Sequence, residues 1–233
     1  MQESAIAGLV DGAGRPKSNT QIAIETIKQL ILENQLPAGS NHLESELAKK
    51  LGMSRTPVRE ATLILEAQGL LQVRPRHGVK ILPLSIDDMR EIYTILTELE
   101  GLSVELAANN NLDEEEFDQA EAAILAMDEA LEREDREDWA TADQNFHNEL
   151  IRLGGNSRVA TVVDQYNNQV RRARSLTLHL RPRPTKSNDD HRRVLEAIRD
   201  GNPKLARKIH TEHRVQAGTM LISILEKHKL HMV

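Results

Sequence analysis

The chain has 233 residues, of which 39% are hydrophobic, 28% are charged and only 2% are aromatic, and its formal net charge is −6. It contains no cysteine, which excludes disulfides, thiolate zinc sites and cysteine nucleophiles. No apolar run approaches the roughly 20 residues that a membrane-spanning helix needs, and no signal peptide is visible, so we expect a cytoplasmic protein. The length suits two domains, and the scarcity of aromatic and alternating β-branched residues favours an almost all-helical fold.

The acidic net charge conceals a basic N-terminal third. Residues 1–82 carry 10 lysines and arginines against 8 acidic residues, a net charge of +2, whereas the remainder carries 20 against 28, a net charge of −8. This asymmetry is typical of a nucleic-acid-binding domain joined to a domain that does not touch phosphate.

The first part of the chain predicts an arm and then two helices. Residues 1–18 lack hydrophobic periodicity and contain three glycines and a proline, so they are predicted to form a flexible N-terminal arm. From Thr20 the apolar residues recur at helical spacing until a breaker cluster after Asn34. A short amphipathic helix is expected next, over residues 43–51.

A third helix is predicted over residues 56–68, and the turn Leu51–Ser54 joins it to the second helix. Ser54 is a good N-cap, and Gly69 marks the C-cap. Its inner face is predicted to comprise Val58, Ala61, Thr62, Leu63 and Leu65. Its exposed N-terminal end resembles a recognition helix presented to DNA. The DNA contacts predicted here are Ser54, Arg55, Thr56, Pro57 and Arg59.

Two short alternating segments, 71–74 and 79–82, predict a β-hairpin around a turn rich in basic residues. The hairpin tip can lie along a phosphate strand or enter the minor groove, although an ordinary solvated turn has the same composition. The DNA contacts predicted from the tip are Arg74, Arg76, His77 and Gly78. Three helices followed by a hairpin predict a winged helix-turn-helix domain over residues 19–82.

Residues 20–82 resemble the DNA-binding domain of the GntR family of bacterial transcriptional regulators. The resemblance rests on ELA at 46–48, LG at 51–52, SRTPVREA at 54–61, LE at 65–66 and GL at 69–70. It implies that Arg55, Thr56 and Arg59 read the operator and that His77 and Gly78 lie in the minor groove. The chain departs from the family at Ser45, where some members carry an arginine, which removes or weakens one expected phosphate contact.

Residues 83–85 are predicted to be a linker, and residues 86–228 a helical bundle. Turn residues divide this region into six helical segments, 86–109, 113–133, 135–153, 158–178, 186–200 and 203–228. A break in the fourth segment would make seven. The predicted fold is therefore mostly α, with an N-terminal winged helix-turn-helix domain and a C-terminal all-helical bundle of six or seven helices.

Four polar residues interrupt apolar helix faces in this second region. Asp143 and His147 are four residues apart and border one apolar stripe, while His191 and His213 interrupt two others. Facing helices of a bundle can bring such residues to a common point. Three imidazoles and one carboxylate suit a divalent ion such as zinc, nickel or manganese, zinc being the first choice. A simple ion pair and solvated histidines remain alternatives, and His210 could exchange roles with His213.

The region 86–225 resembles the FCD-type effector domain of the same regulator family. The resemblance rests on LEGL at 99–102, Asp143 followed by Phe146 and His147, DH at 190–191, LEAI at 195–198 and His213. It implies that Asp143, His147, His191 and His213 are metal ligands beside a cavity that binds a small organic acid. Arg171, Arg172 and Arg174 are the candidate effector contacts, with an exposed basic face as the alternative. An arginine common in the first effector helix of the family is Leu96 here.

These features predict a homodimeric bacterial transcriptional regulator, a repressor, whose binding to double-stranded operator DNA responds to a small organic acid. Dimerisation is expected because one winged helix reads too few bases for adequate specificity. One alternative is a regulator with a purely structural metal. Another is a metal-dependent hydrolase, against which stand the missing nucleophile and general-base motifs, so we do not expect an enzyme.

Overall fold

A computed structural model describes residues 16–230. Most of the predicted N-terminal arm, residues 1–15, lies outside this range. The chain divides into two compact units, one ending at Leu84 and the other beginning at Ser85. Within the described residues, no helix is both long and apolar enough to cross a membrane.

The described part of the N-terminal unit, residues 16–84, contains three helices and a three-stranded antiparallel sheet. Its elements are α1 (Asn19–Leu32), β1 (Asn41–His42), α2 (Glu44–Leu51), α3 (Arg55–Ala67), β2 (Leu71–Arg74) and β3 (Gly78–Ile81). The strand order is β1-β3-β2, with Val79 of β3 opposite both His42 of β1 and Val73 of β2. The hairpin was predicted, but the two-residue strand β1 was not, because so short a segment has no periodicity to detect.

The three helices bury one continuous aliphatic core against the hairpin. Helix α1 begins at a capping box in which Ser18 and Gln21 satisfy each other's backbone N–H groups. The core residues include Ile27 of α1, Leu47 of α2, Leu65 of α3 and Ile81 of β3. Burial of these side chains removes apolar surface from water and holds the recognition helix against the sheet.

Helix α3 departs from its predicted inner face at one position. Val58, Ala61, Thr62 and Leu65 are buried as expected, but the Leu63 side chain is 50% exposed. Leu63 lies two residues before Leu65, a spacing that directs the two side chains to different faces of a helix. The helix ends with Gln68 at the C-cap, and Gly69 follows with φ +69°.

The C-terminal unit contains six α-helices and two short 3-10 segments among the residues described. They are α4 (Ile86–Asn109), a 3-10 segment (Glu114–Phe117), α5 (Asp118–Glu132), α6 (Arg136–Leu153), α7 (Ser157–Thr177), a 3-10 segment (Leu178–Leu180), α8 (Thr185–Arg199) and α9 (Pro203–Lys227). The prediction of a mostly helical protein with a winged helix-turn-helix domain and a helical bundle is confirmed.

Helices α4, α5, α6, α8 and α9 share the main core of the bundle, which is almost entirely aliphatic apart from three aromatic rings. Helices α4 and α9 pack closely because glycines remove side-chain bulk at two crossing points. A Cβ at Gly218 of α9 would lie 2.7 Å from the Tyr93 ring of α4, and one at Gly101 of α4 would lie 3.0 Å from Thr211 of α9. This close approach brings polar residues of both helices into the bundle interior.

Candidate functional site

The N-terminal end of α3 carries an exposed group of polar side chains. Ser54, Arg55, Thr56 and Arg59 are all exposed, and Ser54 is the N-cap without a side-chain cap hydrogen bond. A free hydroxyl beside two guanidinium groups at a helix N-terminus can contact phosphate oxygens and base edges. Pro57 is different, because it is buried. A proline suits the first turn of a helix, and the predicted DNA contact of Pro57 stays a prediction.

The β2–β3 turn carries the predicted wing residues. Arg74, Arg76 and His77 are exposed, and His77 N–H donates to Arg74 O over 2.9 Å. Arg76 has φ +67°, a conformation that favours glycine, which a basic side chain adopts here at some cost. Gly78 has a structural reason to be glycine, since a Cβ there would lie 2.1 Å from His42 O of β1.

The four predicted metal ligands converge in the interior of the C-terminal unit. Asp143 and His147 come from α6, His191 from α8 and His213 from α9, and all four are buried. Asp143 Oδ1 lies 3.7 Å from Nε2 of both His147 and His191, and the Nε2 atoms of His191 and His213 are 3.3 Å apart. We call these four residues the histidine cluster.

Carboxylates face the outer nitrogens of two of these rings. Glu100 Oε2 lies 3.3 Å from His147 Nδ1, and Asp190 Oδ2 lies 3.7 Å from His213 Nδ1. The His213 ring lowers the pKa of Asp190 most; burial opposes this and Lys186 assists it, leaving that pKa at about 2. A carboxylate on the outer nitrogen orients an imidazole so that its other nitrogen points to the centre of a site, as in metal centres.

Two rings of the cluster, those of His147 and His191, are held in the neutral form that can bind a cation. Burial lowers the pKa of His147 well below its ordinary value, and burial together with repulsion from His213 does the same for His191. Burial opposes ionisation of Asp143, but the charges of His147 and Arg174 lower its pKa overall. The site therefore combines the ionised carboxylate of Asp143 with the neutral imidazoles of His147 and His191.

These donors fit a divalent metal ion. His147 Nε2, which lies 3.7 Å from Asp143 Oδ1, has no hydrogen-bond partner among residues 16–230, a costly state for a buried nitrogen. One ring nitrogen each of His147, His191 and His213 lies within 4.8 Å of the other two. Two ligands on a tetrahedral zinc with bonds of about 2.0–2.1 Å are roughly 3.3 Å apart, close to the spacing of the donors here.

A cavity of about 260 Å³ adjoins the cluster, and Asp143 and His213 form part of its wall. Of the three arginines predicted to contact an effector, only Arg174 lines this cavity, where its Nη1 donates to Asp143 Oδ2 over 3.0 Å. Arg171 is exposed, Arg172 is buried, and neither belongs to the cavity wall. The predicted effector contacts of Arg171 and Arg172 stay predictions, which the wall of this cavity does not support.

Two family models cover most of the chain. The model described as bacterial regulatory proteins, gntR family, matches residues 19–81, and the model of the FCD domain matches residues 91–216. The chain belongs to the GntR family, with an FCD domain. It is therefore a DNA-binding transcriptional regulator and not an enzyme.

Similar proteins and structures agree with this GntR assignment. The chain is 38% identical over 144 residues to a helix-turn-helix regulator of Agrobacterium vitis from the TAR-I ttuE-ttuC' intergenic region, covering 61% of this chain and 82% of that protein. It is 30% identical over 207 residues to a probable D-xylose utilization operon repressor of Paenarthrobacter nicotinovorans, covering 88% and 90%. The fold matches E. coli McbR/YncC with a TM-score of 0.75 at 22% identity, covering 88% and 97%.

Glu100 is a site residue of this GntR-family chain that our sequence reasoning missed. Its side chain is buried, and besides His147 it contacts His210 and Arg214. Burial opposes its ionisation, but the charge of Arg214 and the adjacent His147 and His210 rings hold its pKa well below the ordinary value. The sequence pattern could have indicated Glu100, because it interrupts the apolar face of α4 as His191 interrupts that of α8.

Proposed function

We propose that this GntR-family regulator binds operator DNA through its N-terminal unit and is controlled by a small organic acid that binds beside a divalent metal. Asp143, His147, His191 and His213 would hold the metal, with zinc the first choice and nickel or manganese as alternatives. The observation that carries the proposal is that Asp143 and His213 belong both to the histidine cluster and to the cavity wall. A molecule in the cavity therefore meets the cluster directly.

The shared wall favours a sensor over a purely structural metal. A structural site is closed on all sides by protein ligands, whereas a sensing site keeps a position open. A divalent ion supplies a positive charge that attracts a carboxylate. On the protein side, Arg174 lies beside Asp143 and stays protonated: burial alone would lower its pKa, but Asp143, Tyr93 and Glu100 together outweigh burial and raise the pKa of Arg174 above its ordinary value. It would position the acid by a charge-assisted hydrogen bond.

On the DNA side, we propose that a homodimer reads a palindromic operator with two copies of the α3 N-terminus. Two relatives are named as repressors, the probable D-xylose operon repressor and the E. coli repressor RspR, and this supports repression as the mode of action. For the acid to control binding, it must bind one arrangement of the dimer more tightly than the other. Operator binding would take place on the chromosome, in the cytoplasm.

The proposal is tested by operator selection followed by gel-shift titration. Wild-type protein selects its operator from a random duplex library, and affinity is measured after zinc loading or EDTA treatment, with and without a panel of carboxylic acids. We expect an acid to change operator affinity only in the zinc-loaded protein. The double variant His147→Ala/His191→Ala should bind the operator but ignore the acid. An equal acid response in the variant would place the effector elsewhere.

A further inference from the structure

The cavity beside the histidine cluster carries more positive charge than the wall itself neutralises. Its basic residues are Arg136, Arg174, Arg181, Arg183 and Lys186. Two of them are paired, Arg174 with Asp143 at 3.0 Å and Lys186 with Asp190 at 2.6 Å. The other three have no carboxylate at ion-pair distance in the described part of the chain. The cavity wall therefore carries two neutralised cations beside the cluster and three that are not neutralised.

Of the three unpaired cations, Arg181 gives the strongest indication of an anion-binding site. It is half-buried, and its Nε donates to Thr177 Oγ1 at 3.0 Å while its Nη2 donates to Arg174 O at 2.9 Å. Both acceptors are neutral. Burial, with repulsion from Arg174, lowers the pKa of Arg181 to about 10, so it is still charged at neutral pH. A partly desolvated guanidinium without a counterion is unfavourable unless an anion completes the site.

Arg136 is anchored in the same way beside it. Its Nη1 donates to Arg181 O at 2.7 Å and to Leu178 O at 3.2 Å, so it ties the start of α6 to the segment after α7. The hydrogen bonds of Arg136 and Arg181 to neutral acceptors hold both guanidinium groups in place before a ligand binds. Preorganised arginine forks are suited to carboxylate and phosphate oxygens.

We propose that Arg181 and Arg136 form a second anion-binding subsite, so that the effector is a small dianion such as a dicarboxylate. This inference rests on the proposed function: one carboxylate binds at the cluster beside Arg174, and the second binds at Arg181 and Arg136. Apolar side chains, including Trp139, Leu178 and Met220, also line the cavity and suit a short carbon chain between the two groups. A volume of about 260 Å³ lies just below the range of about 300–1,000 Å³ of drug-sized ligand pockets, which favours a small ligand.

The test compares acids that differ by one carboxylate. Zinc-loaded protein is titrated calorimetrically with butanoate and succinate, and with pentanoate and glutarate, at matched ionic strength. We expect the dicarboxylate of each pair to bind at least about tenfold more tightly. Arg181→Gln should remove this preference and leave the monocarboxylate Kd unchanged. The control Arg171→Gln removes an exposed arginine outside the cavity and should retain the preference.

The outcomes separate this inference from the proposed function. Succinate binding no more tightly than butanoate would overturn the second subsite, while zinc-dependent butanoate binding would leave the proposed function standing. Neither acid pair binding would overturn both. If Arg181→Gln weakens the binding of both acids equally, Arg181 only stabilises the segment between α7 and α8. That result would also overturn the subsite. If Arg181→Gln does not fold, Arg136→Gln carries the same comparison, with the same expected loss of preference.

Discussion

Glu100 Oε2 lies 3.1 Å from Nε2 of His210, although Glu100 precedes His210 by 110 residues in the chain. This contact occupies the His210 nitrogen with a carboxylate, whereas His213, three residues later, directs its Nε2 to His191. The α4–α9 packing therefore separates two histidines that are equivalent in the sequence. His213 belongs to the histidine cluster, and His210 belongs to the group around Glu100.

Replacing each of these histidines in turn should have different effects on metal content. We expect His213→Gln to lose most of the bound metal, since it removes a nitrogen of the cluster. His210→Gln should retain the metal and instead lower the free energy of unfolding by about 1–3 kcal/mol, because it disturbs a buried polar contact of Glu100. Mass spectrometry of metal content and urea unfolding check the two effects. Metal loss in His210→Gln alone would reverse the assignment.

Glu100→Gln should weaken metal binding although Glu100 is not one of the four proposed ligands. Its carboxylate orients the His147 ring, and loss of such an orienting group typically costs about 10–100-fold in metal affinity. Competition with a chromophoric chelator measures the Kd. The matched control is Glu98→Gln on the same helix, where the carboxylate is exposed and pairs with Arg207. An unchanged Kd in Glu100→Gln would mean that Glu100 serves only to neutralise Arg214.

The metal-free protein should lose stability as the pH falls from about 7.5 to 5.5. Burial lowers the pKa of His147, His191 and His210 in the folded state, so the unfolded chain takes up protons near pH 6.5 that the folded chain does not. Stability is therefore nearly full at about pH 7.5 and declines below it, by up to about 1.4 kcal/mol for each ring at pH 5.5. Glu100 and Asp143 have lowered pKa values, so their contribution to the free energy of unfolding is lost only at more acidic pH.

Urea unfolding of EDTA-treated protein at several pH values measures this decline. The variant His191→Gln should have a shallower pH dependence than the wild type, because one titrating ring is gone. A flat profile in the wild type between pH 7.5 and 5.5 would show that the rings accept protons without unfolding.

Gly78→Ala should destabilise the N-terminal unit more than Gly39→Ala does. Both glycines have φ +77°, but a Cβ at Gly78 would lie 2.1 Å from His42 O, whereas a Cβ at Gly39 meets nothing within 4 Å. Gly39→Ala therefore reports the cost of the backbone conformation alone, about 1 kcal/mol. Thermal unfolding of both variants checks the order. Equal losses would mean that the β1–β3 pairing yields to the added methyl group.

Arg59→Ala should lower operator affinity at least about tenfold while the helical content stays the same. Arg59 is exposed at the start of α3, and loss of a base-reading arginine costs on the order of 1–3 kcal/mol. Gel-shift titration on the selected operator measures the loss. The control Arg133→Ala removes an exposed arginine of the C-terminal unit that pairs with Asp138. Wild-type affinity in Arg59→Ala would exclude the recognition-helix role.

The sequence by itself determined the mostly helical fold and the family, because these depend on local patterns. A segment of a few helical turns is enough to recognise helical periodicity, cap residues and the SRTPVREA motif. The sequence also showed that polar residues interrupt apolar helix faces, because residues three or four positions apart lie on one face of a helix. These polar residues are Asp143, His147, His191 and His213.

Only the tertiary structure decided which neighbours these residues have. The contact of Glu100 with His147 and His210 depends on how α4 crosses α6 and α9, and nothing local specifies it. The same is true of Arg136 and Arg181, which line the cavity in place of the predicted Arg171 and Arg172. Their location follows from the packing of the segment between α7 and α8, and such packing joins residues that are far apart in the chain.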